Sequence, residues 1–542
     1  MSNEEEAALG IDPSLPCVQH ALIAMTRPPR TWTRRVLRFC LWSFATLLTV
    51  YALLCVWINW TGARAKEQAF ARVAAEGETL DFKALLPPPV DPAKNFFAIE
   101  PLKNIALVID NDPEKGEPAE KRRALEAIEI EGESSGPLPM EGVKLGRGLD
   151  AAEFSAWLSL SEDGILPEDA GDDAATARRS IEKARPQLLV LTSALSREEA
   201  EFVPPLGLRP WPQNLMEMAV PHYGGLLHAG PVLRLHGAAC ALAGEPDKAL
   251  EDARVLLRFS SACQKEQLVI SLLVAVTFQS MSHEVIWQAL ASGKATDKAL
   301  GAMQRDLSHS LIQPTLQCLR GELSAASSMA THMESQSAAE VTKMFDTLRE
   351  SGGLQVSEIE VLAFRFLPRG FHTWNHATVL ESELGGFILP LRDRGLSALV
   401  ESLEKIHQDR ATMNPLANLH RVLANISLPS LSGVLWRVVA IETRRRQALI
   451  ACALERYFIQ HQAYPTALQD LVPQFLTEVP TDAMDGKPMR YRQTEKGRYV
   501  IWATGFDGKD DEGKVSATPD TVADLYKREY LGDWAWQYDP VK

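Results

Sequence analysis

The sequence predicts a mainly α protein. A single transmembrane helix is followed by an extracytoplasmic α-helical bundle or irregular helical-repeat domain, and then by a small C-terminal α+β module. Three observations carry this reading. Residues 39–60 form an unbroken uncharged run. Between about residues 175 and 440, apolar residues recur every three or four positions, the helical period. From about residue 441 the pattern shifts to short strand-like segments set between turn residues such as Tyr464-Pro465 and Asp507-Gly508. A chain of 542 residues is long enough for three or four structural units. Its 46% hydrophobic and 23% charged residues are those of a globular protein, which excludes a disordered chain or a multi-span channel. The net charge of −14 argues against a general nucleic-acid binder, which needs a basic surface to replace counterions. Seven scattered cysteines do not make a disulfide framework.

Phe39 to Trp60 is the strongest signal. A helix of that length reaches about 33 Å, enough for a hydrocarbon core of about 30 Å. Trp42 stands near one end and Trp57 and Trp60 near the other, where indole rings favour the interface. Arg27, Arg30, Arg34, Arg35 and Arg38 precede the run, whereas only Arg64, Lys66 and Arg72 follow closely. That imbalance predicts a cytoplasmic N-terminus in the cell inner membrane, a single pass, and a periplasmic bulk. Two alternatives are a buried core helix and a signal peptide cleaved near Ala63-Arg64-Ala65. The organisation expected is a cytoplasmic segment at 1–38, the membrane helix at 39–60, a stalk and linker with short helices at 61–174, a helical domain at 175–440 and the module at 441–542.

Within the stalk, Pro87-Pro88-Pro89 stops any helix, and residues 110–150 read as surface loops before a cap at Asp150. In the helical domain, Leu235, Ala239 and Leu242 after Pro231 form one apolar stripe. Leu250, Ala253, Leu256 and Ser260 form another after the break at Gly244-Glu245-Pro246-Asp247. The two stripes predict an antiparallel helical hairpin. Gly244 followed by Ala249 resembles the step between the helices of a tetratricopeptide unit. The resemblance covers one hairpin and has no second copy at a fixed period, so a generic bundle stays open. Further helices are expected at 266–291, 296–307, 317–333, 337–351 and 396–406, with Pro368–His372 and Pro415 as loop punctuation.

The module opens with a helix at 441–460 that leads to Tyr464-Pro465 and a short helix at 466–476. Met489–Gln493 and Tyr499–Ala503 then read as a hairpin joined by a Gly-containing connection. Leu454-Glu455-Arg456-Tyr457, Tyr464-Pro465, Leu471-Val472, the run from Pro480-Thr481-Asp482 to Gly486-Lys487-Pro488, Arg490-Tyr491, Tyr499 and Gly505-Phe506-Asp507-Gly508 stand in this order. In order and spacing they resemble the globular domain of type II secretion major pseudopilins, over about 75 residues. The resemblance implies a pseudopilin-like fold and a calcium-binding acidic loop. Carried over by position, Asp507, Asp510 and Asp511 would supply carboxylates and Thr504 a carbonyl. A solvated acidic turn is the alternative. The module sits at the C-terminal end of the chain and follows Arg444-Arg445-Arg446, so it reads as a borrowed module rather than a pilus subunit.

No P-loop, G-x-S-x-G or dinucleotide fingerprint is present. His372 and His376, and likewise His236 and Cys240, are four apart and would share a helix face, a metal-ligand spacing that chance pairing also gives. The aromatic tail Tyr526–Tyr538 reads as a strand packed on the module or as a binding patch. The sequence thus points to a membrane-anchored extracytoplasmic binding or scaffold protein of the bacterial envelope with a protein partner. The alternative is an exported hydrolase whose site assembles from distant helix residues.

Overall fold

The structure, a computed structural model, describes residues 30–100, 102, 103, 105–107, 185–209, 220, 222–336, 340, 343, 368–412, 420–495, 497–514 and 532–538. The linker expected at 110–150, the cap at Asp150, most of the helix at 337–351, Pro415 and residues 526–531 lie outside them.

Helix α1 (Arg30–Ala75) runs through the uncharged stretch and beyond it. It ends in a Schellman arrangement: Gly77 takes φ +75°, its N–H reaches Ala74 O, and Glu78 N–H reaches Val73 O. A short turn, α2 (Phe82–Leu85), is capped by Asp81, whose carboxylate accepts from Lys83 N. Of the stalk and linker expected at 61–174, the described residues 76–100, 102 and 103 pack onto the body. Glu78 is buried in ion pairs with Arg320 and Arg392, and Phe82, Phe96 and Phe97 are buried. Covering these large rings outweighs the extended conformation that the prolines impose.

The helical layer is α3 (Arg185–Ser193), α4 (His222–Leu242), α5 (Pro246–Gln264), α6 (Val269–Ala291), α7 (Asp297–Leu307) and α8 (Ile312–Ser335). Helices α4 and α5 form the expected hairpin. Gly244 at φ +77° closes α4 through Glu245 N–H to Cys240 O, and Pro246 opens α5. Unlike the expectation from Pro231, α4 starts at His222 and runs through the proline. Burial of Tyr223, Leu226 and Ala229 on the added turns offsets the lost hydrogen bond. Helix α6 is also long and apolar enough to cross a membrane, but 67% of its apolar window is buried inside the body, so it serves as a core helix.

The third part is α9 (Arg369–Glu383), a π-helical turn at Leu384–Ile388, α10 (Leu389–Arg394), α11 (Leu396–Thr412) and α12 (Val422–His461). Pro368 caps α9 instead of marking a loop. Strands β1 (Arg490–Gln493), β2 (Tyr499–Ala503) and β3 (Trp534–Gln537) form an antiparallel sheet in the order β1-β2-β3, with Tyr491 opposite Ile501 and Ile501 opposite Trp536. The hairpin matches the sequence reading, and Gly497 at φ +76° makes its turn. The short helix expected at 466–476 shrinks to a 3-10 turn at Leu468–Leu471.

Two hydrophobic cores meet along the 40-residue α12. One joins α4–α7 to the C-terminal half of α12 and the sheet, with Trp287 stacked on Tyr538 at 5.0 Å. The other joins the end of α1, α8–α11 and the first half of α12 to Phe506 and Trp534. The module therefore shares both cores with the helical layer. In the described part of the aromatic tail, Trp536 and Tyr538 are buried, the packing alternative for that segment.

Candidate functional site

From Arg34 to Leu54 the apolar side chains of α1 are exposed on every side; Phe39 is 73% and Trp42 74% exposed. From Ile58 onward one face is locked against α9. The two helices run in parallel: Trp57 meets Trp374 edge-on at 6.0 Å, Phe70 meets the His376 ring at 5.4 Å, and Arg72 pairs with Glu381. The closest approach is at two glycines. A Cβ on Gly62 would lie 2.0 Å from Gly370 O, and a Cβ on Gly370 would lie 2.3 Å from Asn59 Cα. Asn59 Oδ1 accepts the Gly370 N–H at 2.7 Å, satisfying an orphan donor of the α9 N-terminus. Only residues without side chains permit this crossing.

Beside the seam lies a cleft of ≈ 360 Å³. Gln68 from α1, Trp374, Glu381 and Ser382 from α9, and His420 and Arg421 at the start of α12 border it. The Trp374 and His420 rings stack at 4.5 Å and form one wall. Burial, helped by the Arg421 charge, lowers the His420 pKa, so the ring is neutral at pH 7. Arg421 Nε is buried with no hydrogen-bond partner.

On the opposite side of the seam, the histidine pair separates in role. His376 is fully buried, with Ser327 Oγ 3.0 Å from Nε2 and Glu334 Oε1 3.0 Å from Nδ1. Glu334 also accepts from Lys66 Nζ at 2.6 Å. Burial opposes ionisation of Glu334, but hydrogen bonds from His376 and Lys66 outweigh it and lower its pKa. The chain Ser327–His376–Glu334–Lys66 thus fastens α8 and α9 to α1. His372 does not join His376 in a metal-binding group.

Among the described residues, the grouping with metal-ligand proximity is His236, Cys240 and Asp252, whose ligand atoms lie within 4.8 Å of one another. His236 Nδ1 is 2.6 Å from Asp252 Oδ2, while Cys240 Sγ is 3.7 and 3.8 Å from the two ring nitrogens. Burial disfavours the imidazolium, yet the Asp252 carboxylate outweighs it and lifts the His236 pKa to about 10. The charged ring already supplies the cation that a buried carboxylate requires.

The acidic loop is held by an internal cation. Arg490 gives Nη1 to Asp482 at 2.8 Å, Nη2 to Asp485 at 2.6 Å and Nε to Asp510 at 2.7 Å. Asp510 also accepts Trp502 Nε1 at 2.9 Å, and this bond together with the Arg490 contact lowers its pKa. Asp507 accepts the Lys509 N–H in a turn. Asp511 points its N–H to Asp533, and Thr504 donates through N–H and Oγ1 to Asp482. Asp507, Asp510 and Asp511 therefore do not converge as a carboxylate cage. Of the set implied by the resemblance, Asp510 is already held by the Arg490 guanidinium, so a calcium ion there would have to share or displace that cation. Arg490→Gln is expected to leave Asp482, Asp485 and Asp510 facing one another. Melting would then fall without calcium and rise by several degrees in millimolar Ca²⁺, while the natural chain shows no calcium shift. A calcium shift of equal size in the natural chain would contradict the clamp.

Sequence reasoning found His376 and the acidic loop but missed Gly62, Gly370, Trp374, Ser327, Glu334 and Arg421. Their partners lie tens to hundreds of residues away, so no local spacing reveals them. A scan against family models, a search of curated proteins and a search of solved structures found no match to this chain.

Proposed function

We propose that this chain is a single-pass, membrane-anchored envelope protein. Its helical body and pseudopilin-like module would sit on the outer face of the cytoplasmic membrane as a binding scaffold. The observation that carries this reading is the split character of α1: apolar and exposed all round up to Leu54, then docked along one face from Trp57 and Ile58 onward. A helix end built into the body favours retention over signal cleavage, because a cut at Ala65 would sever α1 inside its packed half. Lys66 and Arg72 are paired with Glu334 and Glu381, which weakens the positive charge on the outer side and supports the cytoplasmic N-terminus. A long helix packed on a three-stranded antiparallel sheet supports the pseudopilin-like reading. The full chain should stay in the membrane pellet after alkaline carbonate extraction, and a chain lacking residues 34–57 should be released. Release of the full chain would refute anchoring.

One observation favours a hydrolase as the second reading: Ser327, His376 and Glu334 stand in the order of a nucleophile, base and orienting acid. Against it, Ser327 is only 5% exposed and lies inside α8, where backbone N–H groups are spent in the helix and cannot form an oxyanion hole. A fluorophosphonate probe is expected to leave Ser327 unmodified. Labelling that Ser327→Ala abolishes would establish the hydrolase instead.

A further inference from the structure

His236, Cys240 and Asp252 bring three different donors to one point of the helical body. His236 and Cys240 stand one turn apart on the same face of α4, and Asp252 meets them from α5 across the hairpin that Gly244 closes. Their ligand atoms lie within 4.8 Å of one another. Cys240 and Asp252 are buried, while the His236 side chain keeps 20% of its surface open and leaves a way in for an ion. The group lies in the body and does not depend on the anchoring reading.

An ion pair accounts for two of the three residues and leaves the thiol without a role. Cys240 Sγ stands 3.7 Å from Nδ1 and 3.8 Å from Nε2. A tetrahedral zinc ion, with Zn–N of about 2.0 Å and Zn–S of about 2.3 Å, holds nitrogen and sulfur about 3.5 Å apart. The sulfur is therefore already close to the spacing that zinc requires. Asp252 Oδ2 is 2.6 Å from Nδ1, a hydrogen-bond distance. It has to draw back to about 3.3 Å when a metal ion replaces the shared proton.

Charge balance favours a divalent ion. Without metal, an imidazolium, a carboxylate and a thiol sum to zero. A divalent ion with a neutral imidazole, a carboxylate and a thiolate also sums to zero. Two protons pass to solvent, one from the ring and one from the sulfur. The exchange adds no net charge between the packed helices, so it avoids the cost of burying one. Calcium and magnesium take oxygen donors, whereas imidazole with thiolate suits zinc.

The geometry points to a zinc site at the α4–α5 hairpin, with His236, Cys240 and Asp252 as the protein ligands and water in the fourth position. Bound there, the ion would tie the last turns of α4 to the first turns of α5.

The test uses the full chain, purified in detergent, stripped of metal with a chelator and titrated with Co²⁺. Cobalt takes the tetrahedral place of zinc and reports a sulfur ligand through a thiolate-to-cobalt charge-transfer band. The band is expected to saturate at one Co²⁺ per chain and to vanish when Zn²⁺ displaces it. Melting should lie several degrees higher in the zinc-loaded chain than in the stripped one, since the ion binds the folded state. Cys240→Ser should abolish the band and lower zinc affinity at least tenfold, with unchanged circular dichroism. Asp252→Asn should keep the band and weaken zinc binding by a similar factor, and Cys17→Ser should change neither. A folded natural chain that shows no band in millimolar Co²⁺ would leave only the ion pair and overturn the site. A band that survives in both Cys240→Ser and Cys240→Ala would overturn it equally. Should Asp252→Asn fail to fold, the Cys240 variants, which leave the ion pair intact, decide alone.

Discussion

Glu442→Gln is expected to destabilise the body by about 3–5 kcal/mol, the penalty for stranding a buried partner of an ion pair. Glu442 is fully buried on α12 and accepts from Arg445 Nη2 at 2.7 Å, Arg446 Nε at 3.0 Å, Ser310 Oγ at 3.1 Å and the Leu311 N–H at 3.2 Å. Arg445 in turn donates to Leu307 O. This node ties the end of α7 and the start of α8 to the middle of α12, where the two cores join. Burial alone would raise the Glu442 pKa, but Arg445 and Arg446 outweigh it and hold it at about 2. A carboxyl depressed in the folded state stabilises fully above its unfolded value of about 4.3. That contribution is lost as pH falls through about 2. The natural chain should therefore lose urea resistance on acidification across this window, and the Glu442→Gln chain should be weaker at pH 7 with a flatter acid limb. A paired replacement, Glu442→Leu with Arg445→Met, should recover much of the loss, since apolar residues can replace a buried ion pair. An unchanged urea midpoint for Glu442→Gln would show that the node contributes nothing.

Gly62→Val should open the seam between α1 and α9. The new side chain would overlap the Gly370 carbonyl, a backbone group that cannot rotate away. Overpacking of this kind costs about 1–3 kcal/mol, and more when backbone must move. Ala63→Val, on the exposed side of the same helix, should change stability by no more than about 0.5 kcal/mol. The specific readout is a cross-link by a short bis-maleimide between cysteines placed at Arg72 and Glu381, whose side chains pair across the seam. It should form in the natural background and fail in the Gly62→Val background. Efficient cross-linking in both would mean that the glycine contact does not set the docking.

Helix positions were legible wherever the period and the caps agreed, as in α4–α5, where Gly244 and Pro246 mark the turn. The β1–β2 hairpin was legible for the same reason, with Gly497 at the turn. Legibility failed where tertiary burial overrode local signals. Pro231 sits inside α4, and Pro368 begins a helix. Residues 61–103 read as a stalk because prolines and charges dominate them. Yet Glu78 finds Arg320 and Arg392 more than 240 positions away, which no local pattern encodes. The same holds at the cleft: Trp374 lies between two histidines whose spacing marks them, but its partner His420 is fixed only by the fold. The acidic loop shows the converse. Its aspartates stand out in the sequence, but their cation is Arg490, eight residues from Asp482, which the sequence pattern places only in the hairpin.

The central claim is that α1 crosses the membrane and leaves the body on the far side. Lys509→Cys puts a thiol on an exposed turn of the module, whereas Cys240, Cys263, Cys318 and Cys452 are buried. Intact bacterial cells made permeable only at their outer barrier are treated with a membrane-impermeant maleimide. The account predicts that the Lys509→Cys thiol is labelled at once and that Cys17, on the other side of the span, reacts only after the inner membrane is dissolved. Labelling of Cys17 while the Lys509→Cys thiol stays protected would reverse the orientation, and protection of both until cell lysis would remove the body from the outer face altogether.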